Sequence, residues 1–520
     1  MAKQHLFGNE GREKMKIGVD LLANAVKVTL GAKGRTVAIG SRPVIGANGK
    51  NLTEKPKVTK DGVTVARAVF ISDPIEAMGA GFVLDAAERT VEEAGDATTT
   101  STILTQSLIE NGMQVVDSEG PVALQRRIMS DTQLVVSEIK KRSRPVDIDS
   151  DDLLNVATIS ANGDVEIGKL ISDAIKQVGK DGEVRVELSQ SSKSSSEIIS
   201  GMKIKAGMIN PVFTTQDKKT KSELDGVNVL AWEGRIDDIN DLVPFLDMLV
   251  NQPNPKPLVI FTDDLQGAPE NFLILNHANK AFPSCVVLNP YNGAERVALF
   301  EDICTYTGAT LLSKDRGNTL ATVTLSQLGT AEKITTDMEK CVILGGGGKV
   351  DDAVKLFTEQ KESEQDTEAL DLLKTRISRL SCGVAVIYVG ASTKTEGSER
   401  MDRVDDCYHA VKAAMEEGVV AGGGATLLRI AEHLKDQIHP VTYKALISPI
   451  KQILTNCGEE KIDVAAINQK GQNFGYNAVS GKIEDMIASG ILDPAKVVRV
   501  ALENAASVAG TFLTTEVVIA

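Results

Sequence analysis

Between residues 201 and 313 the chain alternates strand-like with helix-like runs, and on either side of that stretch it does not. Apolar runs at 227–232, 258–262, 285–288 and 310–313 alternate with helical patterns at 239–250, 268–282 and 295–306. Such alternation builds an α/β domain. The flanks read as helical: 12–30, 75–93, 98–112 and 124–141 before it, and 403 to 424 and beyond after it. Residues 350–380 are charged and helical, and 383–389 reads as a buried strand. An α/β domain inserted into a helical body obliges the chain to leave and return, so its hinges come in pairs. The candidate pairs are Pro145 with Gly418 and Gly201 with Gly383.

At 520 residues the chain exceeds one hydrophobic core, and about three domains are expected. Aromatic residues make up only 4%, so Ala, Val, Ile and Leu must build the cores. A net charge of −14 argues against a general nucleic-acid surface, which needs a basic excess. The six cysteines are scattered without a C-x-x-C pair, which suggests neither a zinc site nor a disulfide framework. No apolar signal segment and no run of about 18 apolar residues is visible. A cytoplasmic protein without membrane association is expected.

The stretch richest in chemistry is Gly95-Asp96-Ala97-Thr98-Thr99-Thr100. A carboxylate and three hydroxyls open a helical pattern, at a helix start whose unpaired N–H groups attract anions. With a divalent cation between Asp96 and a phosphate, this reads as a metal–phosphate site without a P-loop. The alternative is an Asp N-cap followed by a Thr-rich first turn. Thr29-Leu30-Gly31-Ala32-Lys33-Gly34 is a glycine-bearing turn after a helix, but it lacks Walker spacing. Gly345-Gly346-Gly347-Gly348-Lys349-Val350 fails the same test and reads as a turn. Lys60-Asp61-Gly62 is either a tight turn or a carboxylate placed to orient water. Asp405-Asp406 shares a helical pattern with His409 and Lys412, and alone reads as a solvated face. Gly422-Gly423-Gly424 precedes another helix start. Tyr476-Asn477-Ala478 and Leu492-Asp493-Pro494 are individually uninformative.

In their order along the chain these motifs resemble the bacterial-type (group I) chaperonins, the GroEL family. Matching segments include Ala25 to Gly31, Thr59-Lys60-Asp61-Gly62-Val63, Ala94 to Thr100, Gly383 to Ile387 and His409 to Gly424. Asn456-Cys457-Gly458-Glu459-Glu460, Tyr476-Asn477-Ala478, Ile491 to Pro494 and Ala505 to Gly510 follow. The resemblance implies a multidomain α+β fold. A mainly helical equatorial domain would span 1–144 and 419–520. A small α/β intermediate domain would span 145–200 and 384–418, and an inserted α/β apical domain 201–383. It implies rings of seven subunits, non-native polypeptide clients, a co-chaperonin, and ATP with magnesium, with potassium as a further ion. Thr29, Leu30, Gly31, Ala32, Lys60, Gly423, Asn477, Ala478, Val479 and Asp493 would contact the nucleotide. Asp96 would hold the magnesium ion, and Ala97, Thr98, Thr99 and Thr100 would wrap the phosphates. Asp61 and Asp406 would activate the hydrolytic water. Met208, Val212, Phe213, Val243, Leu246, Ile274 and Leu275 match the apical client surface, and about half of them are expected to be exposed.

The chain also departs from that pattern. Ala97 stands where the family typically has Gly, and Ala32 where it has Pro. About ten residues are inserted within 41–57. Asn210 and Glu270 alter the apical surface. Lys451 and Glu460 match an inter-ring ion pair, whereas Ile462 and Asp463 do not. A divergent member is expected, viral or an extra gene copy, acting in the cytoplasm (the host's if viral). Its expected function is ATP-dependent folding of clients in a ring cavity. The alternative is a holdase of the same fold that cycles ATP weakly or not at all.

Overall fold

The structure, a computed structural model, describes residues 5–40, 44–45, 51–52, 57–161, 163–179, 183–189, 191–215, 221–364, 366–381, 383–459 and 461–520. The chain divides into two compact units. One comprises Met1–Lys176, Val186–Ser195 and Ile387–Ala520; the other comprises Gln177–Arg185 and Ser196–Val386. An α/β unit is thus inserted into a mainly helical one, as the alternating pattern predicts.

The helical unit is built around Gly8–Val26, Pro74–Ala94, Thr98–Met113, Pro121–Arg142 and Ala495–Leu513. With few aromatics available, close backbone approach replaces bulk. A methyl on Gly79 would lie 1.8 Å from the Met15 carbonyl oxygen, so two helices cross in backbone contact there. Ala501, Ala505, Ala506 and Ala509 form a buried small-residue face on the last helix. Its apolar core extends through Leu104, Leu108, Leu428 and Phe512. Residues 403–424 are not one helix. Lys394–Glu417 stops at Gly418, where φ is +80°, and Val419–Ala421 pairs antiparallel with Leu492–Pro494. Likewise 350–380 forms two helices, Asp351–Ser363 and Thr367–Ser381. Within 41–57, Val44–Ile45 pairs with Asn51–Leu52 as a hairpin, and much of the rest of that insertion lies outside the described residues.

In the inserted unit, Ser284–Leu288, Leu258–Leu265 and Ser222–Ile236 run parallel, followed by antiparallel Gly329–Thr336 and Cys341–Gly346. The segment ending in Ile204 pairs with Cys341 at one edge of these five strands. A few residues on, Met208 bridges Val287 at the other edge. Helix Thr367–Ser381 is clamped to Gly293–Thr307 by fully buried Asp302, which accepts from Arg376 Nε at 2.8 Å and Arg379 Nη1 at 2.5 Å. Gly346 is no phosphate loop, because a methyl there would lie 2.2 Å from the Tyr306 carbonyl oxygen.

The predicted client positions divide. Val212 and Leu275 are exposed, and Val243 and Ile274 are half-buried. Met208, Phe213 and Leu246 are core residues, which corrects a surface reading of those three. Met208 is fixed across the sheet edges, its N–H donating to Asp337 O at 2.8 Å. Phe213 packs edge-on against the His277 ring at 5.5 Å. Leu246 shares the inward face of Ile239–Val250 with Leu242, Phe245 and Leu249, the spacing of a buried helical stripe.

Candidate functional site

Helix Pro74–Ala94 ends at Gly95, in the left-handed region at φ +74°. Asp96 follows, and then Ala97, also left-handed at φ +68° and ψ +26°. Ala97, not Asp96, is the N-cap of Thr98–Met113, and no side chain caps that helix. Asp96 accepts the Ala97 N–H at 2.5 Å instead. The N-cap alternative for Asp96 therefore does not hold. The helix start keeps its first N–H groups without a capping side chain, in the arrangement that binds anions.

Two further turns meet this one. Asp61 caps helix Gly62–Ala68, accepting from Val63 N at 3.2 Å and Thr64 N at 2.9 Å. A methyl on Gly62 would fall 2.6 Å from both the Thr98 and Thr99 hydroxyls, so only glycine lets the turns touch. Thr99 Oγ1 lies 3.1 Å from Thr29 Oγ1, which also donates to Val26 O. Thr29 is buried, Leu30, Gly31, Lys60 and Thr100 are half-buried, and Ala32 is exposed. Asn456, one residue before the end of helix Ser448–Cys457, donates through Nδ2 to Lys27 O at 3.0 Å and Leu30 O at 2.9 Å. Asn456 lies within a motif matched in the sequence, but nothing in the sequence showed that it grips the Thr29–Gly31 turn.

The other side comes from the C-terminal part of the chain. Val420 pairs with Asp493 in the short sheet, and Asp493 Oδ1 sits 2.8 Å from where a Gly422 methyl would be. Gly423 donates its N–H to Asp493 and, like Gly424, has positive φ. Helix Ala425–His433 starts there, again without a side-chain cap. Asn477 is committed to its own hairpin. Its Nδ2 donates to Glu484 Oε1 at 2.5 Å, and its Oδ1 accepts from Val479 N at 2.9 Å. Ala478 is buried and Val479 is exposed beside it.

Asp406 is half-buried and Asp405 exposed, on helix Lys394–Glu417. Three residues after Asp406, His409 packs on the acidic turn: a methyl on Gly95 would lie 2.2 Å from His409 Cβ. Burial first, then the charges of Asp96 and Asp61, raise the Asp406 carboxyl well above the usual range. Asp96 is pushed up to about 6 by burial, opposed by the Ala97 N–H, with Asp61 adding repulsion. Asp493 is pushed up to about 6 by burial and by Asp96, opposed by the Gly423 N–H. Asp96 thus sits within electrostatic reach of three other carboxylates, Asp61, Asp406 and Asp493, each from a different segment. Among the described residues, no three His, Cys, Asp or Glu side chains form a ready-made metal cage. A cation here would need oxygen ligands from a bound group as well as from Asp96.

The candidate hinges are paired in space. Next to Pro145, Arg144 bonds both ways with Val419, at 3.0 and 2.8 Å, and a Gly418 methyl would lie 2.3 Å from Arg144 O. In the inserted unit, a Gly201 methyl would lie 2.1 Å from Val384 Cγ2, beside Gly383. Glu460, the proposed partner of Lys451, lies outside the described residues. Among the described residues, no helix is long and apolar enough to cross a membrane.

This is the architecture of a chaperonin subunit. The chain matches the TCP-1/cpn60 chaperonin family over residues 22–242 and 284–520, and it belongs to that family. Two solved structures of the chaperonin gp146 from bacteriophage EL 2 (Pseudomonas aeruginosa), both in the presence of ATP-BeFx, share its fold at 22% identity. Crystal form II covers 99% of this chain and 98% of its own, with a TM-score of 0.70. Crystal form I covers 99% of each chain, with a TM-score of 0.62. The fold is the GroEL-like multidomain α+β fold, in a divergent member of the family.

Proposed function

We propose that this chaperonin binds and hydrolyses magnesium-ATP in the cleft around Asp96 and uses that cycle to fold non-native polypeptides. The observation that carries the reading is the convergence of Asp61, Asp406 and Asp493 on Asp96, where burial and neighbouring carboxylates raise Asp96, Asp406 and Asp493, beside two uncapped helix starts. Carboxylates in that position are short of positive charge, and the helix starts offer N–H donors to an anion. A magnesium-bound nucleotide, which brings both the cation and the phosphoanhydride, meets both needs.

Asp96 would hold the cation, and the N–H groups of Ala97 to Thr100 would orient phosphate oxygens. The turn at Thr29 to Ala32, with Lys60, would close one side, and Gly423, Ala478, Val479 and Asp493 the other. Asn477 would act by shaping its turn, since its amide is already bonded to Glu484. Asp61 and Asp406 would orient the attacking water, with the Asp406 carboxylate accepting its proton.

The residue divisions 1–144, 145–200, 201–383, 384–418 and 419–520 are our proposal for equatorial, intermediate and apical domains, with Pro145/Gly418 and Gly201/Gly383 as hinges. Val212, Leu275 and the half-buried Val243 and Ile274 would capture clients. Seven-membered rings, a co-chaperonin, potassium dependence and a cytoplasmic site of action follow from the family likeness and belong to the same proposal. The test is Asp406→Ala: hydrolysis should be abolished and ATP binding largely kept. Hydrolysis at the wild-type rate would remove Asp406 from the mechanism. Client capture by a wild-type protein that hydrolyses no ATP would favour the holdase reading instead.

A further inference from the structure

We propose that Asn456 is a positioning residue for the nucleotide reaction, with its amide clamping the Thr29–Gly31 turn from behind and Gln452 setting the direction of that amide. The inference rests on the nucleotide reading above. Helix Gly8–Val26 runs into a 3-10 turn, Lys27–Thr29, and then reverses at Gly31, where φ is +82°. A helix that ends this way leaves carbonyl groups in want of donors. Leu30 N gives one weak bond to Lys27 O, at 3.3 Å. Asn456 supplies two more, from a helix more than four hundred residues further along the chain: one amide hydrogen reaches Lys27 O and the second reaches Leu30 O.

Asparagine suits this position for a chemical reason. Two carbonyl oxygens must be satisfied at once, and a carboxamide has two N–H donors where a carboxylate has none. Its own oxygen must then face away, and Gln452, one helical turn earlier, donates to Asn456 Oδ1 at 2.8 Å. The same helix also presses Ile453 against the turn, since a Gly31 methyl would lie 3.4 Å from Ile453 Cγ1. The turn is therefore held by a hydrogen-bonded clamp and an apolar stop on one rigid element. Its far end carries the Thr29 hydroxyl that meets Thr99 in the first turn of the phosphate-side helix. Neither Asn456 nor Gln452 bonds to the four carboxylates or to the first turn of that helix in any described hydrogen bond, so each would act through the turn.

The experiment uses the full chain with Asn456→Asp, which is nearly isosteric but turns an acceptor toward two carbonyl oxygens. Two readouts are taken: hydrogen exchange at Gly34 and Arg35 without ATP, and steady-state ATPase. Those two amides close the turn, donating to Gly31 O and Val28 O at 2.8 Å each. Their exchange should quicken by roughly tenfold. The ATP KM should rise by roughly tenfold with kcat within about threefold, because the turn would hold substrate and transition state alike. Gln452→Glu, which does not touch the turn, should move both readouts the same way by favouring a flipped Asn456 amide. The double variant should be no worse than Asn456→Asp alone. If Asn456→Asp does not fold, Gln452→Glu carries the test. Unchanged exchange overturns the clamp whatever the ATPase shows. Faster exchange with an unchanged KM overturns the positioning role. Faster exchange in a chain whose wild type binds no ATP overturns the nucleotide reading, and the positioning role with it.

Discussion

Gly95→Ala probes how the Asp406 helix is docked on the acidic turn. The added methyl would lie 2.2 Å from His409 Cβ, 2.5 Å from Cγ and 3.0 Å from Nδ1. Ordinary carbon–carbon contact begins near ~3.5 Å, so the two backbones must part by about 1.3 Å. Gly95 also sits at φ +74°, where a Cβ costs about 1–2 kcal/mol. Overpacking adds about 1–3 kcal/mol, for a local cost of about 2–5 kcal/mol. Because Asp406 is three residues from His409 on one helix, the displacement carries it away from Asp96. A misplacement of about 1 Å in a reacting group can lower the rate by about 100-fold. Single-turnover hydrolysis should therefore slow by about 10- to 100-fold, while a fluorescent ATP analogue still binds. The closest contact is with Cβ, so His409→Ala in the same chain, which removes only the Cγ and Nδ1 contacts, should rescue less than His409→Gly. His409→Gly should recover part of the rate, at a separate stability cost of about 1 kcal/mol for a glycine inside a helix. Wild-type hydrolysis by Gly95→Ala, or equal rescue by both His409 variants, would refute the docking.

Ala97→Gly should change stability by no more than about 1 kcal/mol in a denaturant titration. Relief of the left-handed strain, about 1–2 kcal/mol, is opposed by about 0.5–1 kcal/mol of glycine entropy and by the loss of a half-buried methyl. A loss above about 2 kcal/mol would contradict the strained conformation. Asp493→Asn should stabilise the nucleotide-free chain at pH 7.5 and weaken ATP binding. The folded pKa of Asp493, about 6, lies above its ordinary 3.8, so its ionisation costs stability as pH rises through 4–6. Removing it should gain up to about 3 kcal/mol at pH 7.5 and nothing below pH 4, measured by denaturant titration across that range. A gain independent of pH would contradict the assignment. Leu275→Ser should leave stability within about 0.5 kcal/mol and weaken capture of an unfolded polypeptide several-fold, because Leu275 is exposed. Phe213→Ser should cost about 3–5 kcal/mol through the core. Unchanged capture by Leu275→Ser would remove that position from the client surface.

How much of this was legible in the sequence depended on how far each feature reaches along the chain. Local periodicity placed the helix 124–141 within a few residues of the observed Pro121–Arg142. It missed Val419–Ala421, because a three-residue strand has no period and its partner lies some seventy residues away. Spacing put Leu246 on a helical stripe but could not say which side faced the core; that depended on how Ile239–Val250 packs. Asp96 could be read as a helix cap and Asp61 as a tight turn or a water-orienting carboxylate, yet it is Asp61 that caps a helix. The difference lies in Ala97, whose left-handed φ turns the Asp96 carboxylate away from the cap position. The sequence marked Ala97 only as a replaced glycine. The electrostatics are further still from any local pattern. A carboxylate on the Lys394–Glu417 helix acquires an unusual proton affinity only when chain closure sets it beside Asp96 and Asp61, some three hundred residues earlier. Resemblance to a family carried the order of these segments, because a fold preserves which turns meet. It could not carry how hard the groups repel once met, since that depends on burial and on N–H groups such as those of Ala97 and Gly423. Burial leads that balance, and the N–H groups of Ala97 and Gly423 oppose it; the sequence marks both residues but not the carboxylates that their N–H groups meet.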